Sequence, residues 1–411
     1  MTRGIAPPLG NPARLAELQI AAVSQKPVSI GNRRTNSPHE FYRYPARFTP
    51  DFARAAILAF TRPGDLVLDP FMGGGTTLVE AMRTGRRSIG SDLNELATFV
   101  SKVKTTVLNE ADLAVLRRWT RRLPGRMKLS RPAPPVHQWR AAGYLKDLDD
   151  RSTWRIRSLI ALALAAADEL PQESQVDFAR CIILRTAQWA LDMRDDVPTP
   201  AEFRLTMATL GTTMVDAATR FASELDDDYS PPVLVDQQLP GLSCRQEIRA
   251  ATPDLILTSP PYPGVYVNYH RWKLRGRREI SAPYWIANRT DGLGLASYTM
   301  HARSGPGLVR YFEHLGTAFA DLRQTASTST LLVQMVGFNN VQQQLDQYLA
   351  TMKQSGFEEV LVPELATADD GRLWRSVPGR RWWATTTTLQ DVAPHTAKEV
   401  VLIHRPTSIS G

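Results

Sequence analysis

Apolar residues recur along this chain in two rhythms. Short unbroken runs, Leu66-Val67-Leu68 and Leu255-Ile256-Leu257, have the length and composition of strands buried on both faces, and each leads into a turn-forming string. The first run belongs to a block from about His39 to Thr106. Spacing there predicts a helix at Pro50–Phe60, a strand at Leu66–Leu68, a helix at Thr76–Arg83, and a strand at Ser88–Gly90 that ends in Asp92. That is a βαβ unit with its loops on the carboxyl side. From about Asn109 to Asp228 the rhythm becomes helical. Trp154–Leu170, Gln175–Met193 and Ala201–Leu225 are rich in Ala and Leu and are punctuated by Pro171, Pro198 and Pro200. The second run opens another block near Val233, with a strand at Asp254–Leu257, helices at Val309–Gln324 and Val341–Ser355, and strands at Thr330–Val336, near Phe357–Val362 and near Glu399–His404. The expectation is an α/β sheet assembled from residues 39–106 and 233–406, interrupted by a helical insertion at 107–232. Residues 1–38, rich in Pro, Gly, Asn and Arg, read as a poorly ordered arm.

Composition narrows this picture. At 411 residues and 43% hydrophobic content the chain can build a full core. A formal charge of +8, from 49 Lys+Arg against 41 Asp+Glu, suits a polyanionic partner. The longest apolar stretch, Ser158–Ala167, is far short of the roughly 20 residues of a membrane span, and the N-terminus lacks the apolar core of a signal peptide. A cytoplasmic protein with no membrane partner is expected. The two cysteines, Cys181 and Cys244, have no metal-ligand spacing and read as small buried hydrophobes, so no metal is expected. Neither follows a proline, which argues against methylation at cytosine C5, where a thiolate, typically in a Pro-Cys loop, must attack the ring.

Two strings carry the candidate chemistry. In Asp69-Pro70-Phe71-Met72-Gly73-Gly74-Gly75-Thr76-Thr77, a glycine-packed turn lets the backbone approach a ligand, and the helix that follows offers free N–H groups to a carboxylate. Asp92, about twenty residues on, lies where an acid can bridge the ribose hydroxyls of a nucleoside. A dinucleotide site is the competing reading, but the glycine spacing is not Gly-x-Gly-x-x-Gly. In Thr258-Ser259-Pro260-Pro261-Tyr262, the Ser259 hydroxyl and the Pro260 carbonyl are acceptors for the hydrogens of an amino group. Pro261 restricts the residue before it to an extended shape, and Tyr262 offers a flat face for a base. A polyproline turn, or a ligand for a groove-type recognition domain, would use the same residues. Beyond it, Tyr266, Tyr269, Arg271, Lys273, Arg275, Arg277 and Arg278, followed by Tyr284-Trp285, interleave aromatic and basic side chains, as Arg380-Arg381-Trp382-Trp383 does. Such stretches suit base stacking and phosphate neutralisation, or simply a solvated basic face.

Together the two strings resemble the cofactor loop and the catalytic loop of the DNA amino-methyltransferases, most of all those acting on cytosine N4. His39-Glu40-Phe41-Tyr42-Arg43-Tyr44-Pro45-Ala46-Arg47-Phe48 is similar to the segment that folds over the methionine end of S-adenosylmethionine (SAM) in that family. The resemblance implies a Rossmann-like SAM-dependent methyltransferase sheet. Tyr44, Pro45, Asp69, Phe71, Gly73, Gly75, Thr76, Thr77, Asp92 and Asp236 would then hold SAM, and Ser259, Pro260, Pro261 and Tyr262 would act on the base. Asp236 departs from the usual Gly-Asp surroundings, which leaves a solvated loop aspartate as its alternative. The partner implied is DNA, with a separately encoded restriction endonuclease or defence component as a candidate second one, and the helical insertion at 107–232 would serve either DNA recognition or packing. Alternatives kept open are adenine-N6 methylation, RNA amino-methylation, and a catalytically silent DNA-binding member of the fold.

Overall fold

In a computed structural model of the chain, the described residues are 12–23, 37–44, 48–132, 134–236, 239–250, 252–263, 271–292, 300, 306–338, 340–376 and 398–407. Strands along the chain are β1 (Leu66–Asp69), β2 (Arg87–Asp92), β3 (Val233–Asp236), β4 (Leu255–Thr258), β5 (Trp272–Leu274), β6 (Arg278–Ile280), β7 (Leu331–Phe338), β8 (Phe357–Glu359), β9 (Leu373–Ser376) and β10 (Lys398–Pro406). The main sheet runs β3-β2-β1-β4-β7-β10-β8, with β9 also on β10. All neighbours from β3 to β7 are parallel, and β10 is antiparallel to β7, β8 and β9. This mostly parallel, Rossmann-like α/β sheet is the architecture expected from the sequence.

Helices cover both faces. They are α1 (Pro12–Val23), α2 (Pro50–Phe60), α3 (Thr76–Arg83), α4 (Glu95–Thr105), α5 (Glu110–Arg126), α6 (His137–Ala141), α7 (Trp154–Asp168), α8 (Glu173–Leu191), α9 (Pro200–Ser223), α10 (Gln246–Arg249), α11 (Ala282–Ala287), α12 (Pro306–Arg323) and α13 (Val341–Gln354). Every position of β1, β4 and β7 is buried, which is why these strands read as continuous apolar runs. Successive side chains point to opposite faces. Val67, Leu255, Leu257, Val333 and Met335 pack with α1 and α2, while Leu66, Leu68, Ile256, Leu332 and Val336 share a cluster with α12 and α13. Pro200, read as punctuation, is the first residue of α9, behind a capping box between Thr199 and Glu202.

Three expectations are corrected. Residues 12–23, read as part of a poorly ordered arm, form α1. Its Leu15, Leu18, Ala21 and Ala22 are buried against α2 and the sheet, and the twelve-residue pattern is too short and too Ala-rich to stand out from its Pro- and Gly-rich flanks. Residues 272–287 lie in the second sheet block by sequence, yet β5, β6 and α11 pack into the apolar cluster of α4, α5 and α7–α9. The helical unit therefore draws on both sides of the string at residues 258–262. Cys181 is buried as expected, but Cys244 is exposed, because Leu242 takes the core position of its short 3-10 turn. No helix among the described residues is long and apolar enough to cross a membrane.

Leu18 is completely buried, so Leu18→Ala is expected to destabilise the protein by about 2–5 kcal/mol. Urea unfolding measures this, and an unpacked arm would give no change.

Candidate active site

Chain order in the sheet reverses between β1 and β4, and at such a switch point loops from neighbouring strands open a crevice at their carboxyl ends. Here those loops are the two strings picked out in the sequence. Asp69, the last residue of β1, is 2% exposed and joins them. Its Oδ2 accepts from Thr77 Oγ1 at 2.6 Å, and its Oδ1 accepts from Thr258 Oγ1 at 2.8 Å and from the Phe71 N–H at 3.2 Å. Burial pushes its carboxyl up to about 6, against the pull of these donors. Asp69 and Thr77 were expected to touch a cofactor. The structure spends their side chains on each other, so their part is to hold the loop. Phe71 is half-buried and packs beside Phe319.

The glycine loop is held from three sides. Gly73 and Gly75 have φ of +48° and +72°, and a Cβ on Gly75 would lie 2.7 Å from Ser101 Oγ. Ser101 Oγ donates to the Gly73 carbonyl at 3.0 Å, and the buried Lys104 Nζ donates to the Gly74 carbonyl at 2.9 Å. Tyr44 lies over the loop so closely that a Cβ on Gly74 would come 2.9 Å from its own Cβ. The segment carrying Tyr44 is tied to α3 by a 2.7 Å bond between His39 Nε2 and Glu80 Oε1, and to α8 by Gln188, whose amide exchanges two hydrogen bonds with the Arg43 backbone. Burial brings His39 down to about 4, even with Glu80 beside it. Pro45 lies outside the described residues.

These groups fit a zwitterionic nucleoside. Gly75 caps α3 without a side-chain hydrogen bond, and the buried Thr76 Oγ1 has no partner among the described residues, so the helix start retains donors for a carboxylate. Asp92 uses one oxygen to accept from the Gly73 N–H (3.0 Å) and the other from the Asn94 N–H (2.9 Å), which leaves further lone pairs on both. Burial, with Asp69 and Asp236 nearby, raises its carboxyl to about 6. Asp236 is directly opposite Asp92 in the β2–β3 register, and though its side chain reaches solvent, partial desolvation with Glu95 nearby raises it too. Carboxylates at the ends of three adjacent strands create a negative field that favours a cationic ligand.

At the second loop, Ser259 Oγ lies 3.0 Å from the Met335 carbonyl and 3.1 Å from Tyr262 Oη, which in turn donates to Glu399 Oε1 at 3.2 Å. The Pro261 carbonyl accepts from Tyr311 Oη at 2.6 Å, whereas the Pro260 carbonyl has no hydrogen-bond partner among the described residues. A serine hydroxyl has one hydrogen and two lone pairs. With that hydrogen directed at Met335 and Tyr262, Ser259 faces any ligand as an acceptor. Tyr262 is 6% exposed and packs in the cluster of Tyr311 and Phe312, so the open stacking face expected of it is not what the structure presents. Its tie to Glu399 holds the ring inward.

The basic stretch divides. Arg275 and Arg277 are exposed on the β5–β6 turn, Arg271 pairs with Asp291 at 2.9 Å, and Arg278 pairs with Asp147 at 3.3 Å. The Lys273 backbone bridges to Asp192 and Met193. Trp272, Tyr284 and Trp285 are buried rather than available for stacking; Trp272 Nε1 donates to Tyr42 Oη, and Tyr284 Oη to Asn94 Oδ1. Tyr266, Tyr269, Arg380 and Arg381 lie outside the described residues. Sequence reasoning missed Ser101 and Lys104 behind the glycine loop, Gln188 behind the Tyr44 segment, and Arg375 and Glu399 behind Ser259. Thr258 stood inside the quoted string and was the one with a local signal. No cluster of three or more metal-ligating side chains exists among the described residues.

A family model described as DNA methylase matches residues 24–100, which include the glycine loop and Asp92 but end well before Ser259. The Type II methyltransferase M.MjaII of Methanocaldococcus jannaschii is 34% identical over 85 residues, covering 21% of this chain and 16% of its own. The Type II methyltransferase M.MvaI of Kocuria varians is 38% identical over 79 residues, 18% and 17% of the two chains. A tRNA (guanine(10)-N2)-dimethyltransferase of Methanocaldococcus jannaschii is 44% identical over 61 residues, 14% and 17%. The matches thus span about a sixth of the length of these relatives.

Asp69 binds its proton more tightly in the folded chain than at the ordinary carboxylate value of 3.8, so its contribution to stability is full below about pH 4 and is lost as pH rises through about 6. Relative to Asp69→Asn, the wild type is expected to gain unfolding free energy as pH falls from 7 to 4. Urea midpoints of the two proteins across that range measure the gap. A gap that stays constant would mean the buried carboxyl is not perturbed.

Proposed function

We propose that this protein transfers a methyl group from S-adenosylmethionine to the exocyclic N4 of cytosine in DNA. The observation that carries the reading is Ser259. At the end of β4, tied through Thr258 and Asp69 to the glycine loop, it turns its only hydrogen inward and keeps its lone pairs for an amino group. The family model over residues 24–100 and the Type II methyltransferase relatives support SAM as cofactor and DNA as substrate. When bound, SAM supplies a methyl group on a sulfonium centre.

The chain's own residues do the rest. The start of α3 would hold the methionine carboxylate, with the glycine loop giving it room, Asp92 would bind the ribose hydroxyls, Asp236 the adenine amino group, and Tyr44 would bound the methionine end. An amino group conjugated to its ring is a poor nucleophile. Ser259 Oγ and the Pro260 carbonyl would accept its hydrogens and favour the pyramidal form, which frees the nitrogen lone pair. The step depends on positioning and preorganised dipoles more than on a strong base. Serine before Pro-Pro-Tyr, in place of the Asp or Asn common in adenine-N6 enzymes, favours cytosine. Arg275 and Arg277, exposed on the β5–β6 turn, would neutralise backbone phosphates, and a separately encoded restriction endonuclease or defence component is compatible with this reading.

Asp92→Ala is expected to weaken SAM binding in isothermal titration by about 10- to 100-fold, the loss of a charge-assisted hydrogen bond worth roughly 1.5–3 kcal/mol. Unchanged affinity in a folded variant would remove Asp92 from the site. Tritiated methyl transfer to DNA, followed by nucleoside mass spectrometry, is expected to give N4-methylcytosine, with turnover falling at least tenfold in Ser259→Ala and SAM affinity retained. Label in N6-methyladenine or in RNA would overturn the base or the polymer. Arg275→Ala with Arg277→Ala is expected to lower DNA affinity and flatten its salt dependence by about two phosphate contacts; an unchanged slope would mark an ordinary solvated turn.

A further inference from the structure

Behind Ser259 lies a hydrogen-bonded chain that the reaction as described does not use. Arg375 and Glu399 are directly opposite each other on β9 and β10. Arg375 Nε donates to Glu399 Oε2 at 2.7 Å, and its Nη2 pairs with the same oxygen. Glu399, 3% exposed, accepts at its other oxygen from Tyr262 Oη, and Tyr262 Oη lies 3.1 Å from Ser259 Oγ.

The chain has a direction set by chemistry. Arginine can only donate, and a carboxylate held by arginine can only accept. Tyr262 has one hydroxyl hydrogen, and Glu399 takes it. Its oxygen can therefore only accept from Ser259. Ser259 in turn has one hydrogen, shared between Tyr262 Oη and the Met335 carbonyl, so both of its lone pairs remain. We infer that Glu399, oriented by Arg375, is a positioning residue that sets the hydrogen-bond polarity of Tyr262 and Ser259, so that the site selects an amino group over a carbonyl or ring acceptor. This inference rests on the proposed amino-methyltransferase reading and deepens it.

Glu399→Gln is close to isosteric but reverses the chain. Arg375 claims the amide oxygen, the amide N–H₂ donates to Tyr262 Oη, and the Tyr262 hydrogen, released from Glu399, becomes available to Ser259, where it occupies one of the two lone pairs. Turnover on DNA is expected to fall about 10- to 100-fold with SAM affinity unchanged, while Glu399→Asp, which keeps the charge, stays within about threefold. In a Tyr262→Phe background the link is cut, and Glu399→Gln is expected to change turnover less than twofold. A purely structural part in joining β9 to β10 would cost the same in both backgrounds, and that result would overturn the inference.

A second readout is independent of turnover. With 13Cζ-labelled tyrosine, the Tyr262 resonance is assigned by its loss in Tyr262→Phe. Losing a carboxylate acceptor in Glu399→Gln is expected to move it upfield. Losing a donor in Ser259→Ala, which leaves the Arg375–Glu399 pair intact, is expected to move it downfield. The Ser259→Ala arm decides the matter if Glu399→Gln does not fold, and an unmoved or upfield signal there overturns the proposed polarity. If the wild type methylates no nucleic acid, the functional reading falls, and the resonances still decide the direction of the chain.

Discussion

Asp69 is the constraint on which the rest of the site depends. One buried carboxylate receives a backbone N–H from its own loop, a hydroxyl from α3 and a hydroxyl from β4, so three elements distant in sequence share one anchor. Removing a buried acceptor of this kind strands its donors, each at about 1–3 kcal/mol, whereas each bond made contributes only about 1 kcal/mol net. The arrangement is therefore held mostly by the cost of breaking it. Its chemical consequence is distance, because the loop that fits a nucleoside and the loop that presents Ser259 keep a constant separation. A reaction that relies on alignment rather than on a strong base needs that rigidity.

Both loops are further shaped by groups other than Asp69. Ser101 and Lys104 sit three residues apart on one face of α4 and take the Gly73 and Gly74 carbonyls, while the Gly73 and Gly75 N–H groups go to Asp92 and to the Met72 carbonyl. Tyr44 closes its opposite side and is itself held by Gln188 and by the His39–Glu80 pair. The helical unit thus contributes to the site through α4 and α8. At the second loop, Tyr311 holds the Pro261 carbonyl while β7 and β10 hold Ser259 and Tyr262. That leaves the Pro260 carbonyl and the Ser259 lone pairs as acceptors on the loop.

Local physics determined the elements. Strands buried on both faces must be continuous apolar runs, and β1 and β4 were recognisable as such. Helical spacing marked α2 and α3 to the residue and α7, α8, α9, α12 and α13 to within about three residues. The two strings were legible because glycine, proline and a strand-ending aspartate are needed at particular backbone positions whatever the surroundings. Burial, partnership and polarity belong to the tertiary structure. Trp272, Tyr284 and Trp285 carry the same composition whether they stack on a base or fill a core, and the cluster of α4, α5, α7, α8 and α9 assigned them to the core. Tyr262 likewise became a buried link once Glu399, 137 residues away, took its hydroxyl. A side chain's type states what it can donate or accept, and only the fold, by bringing distant strands side by side, decides which of those capacities are already spent.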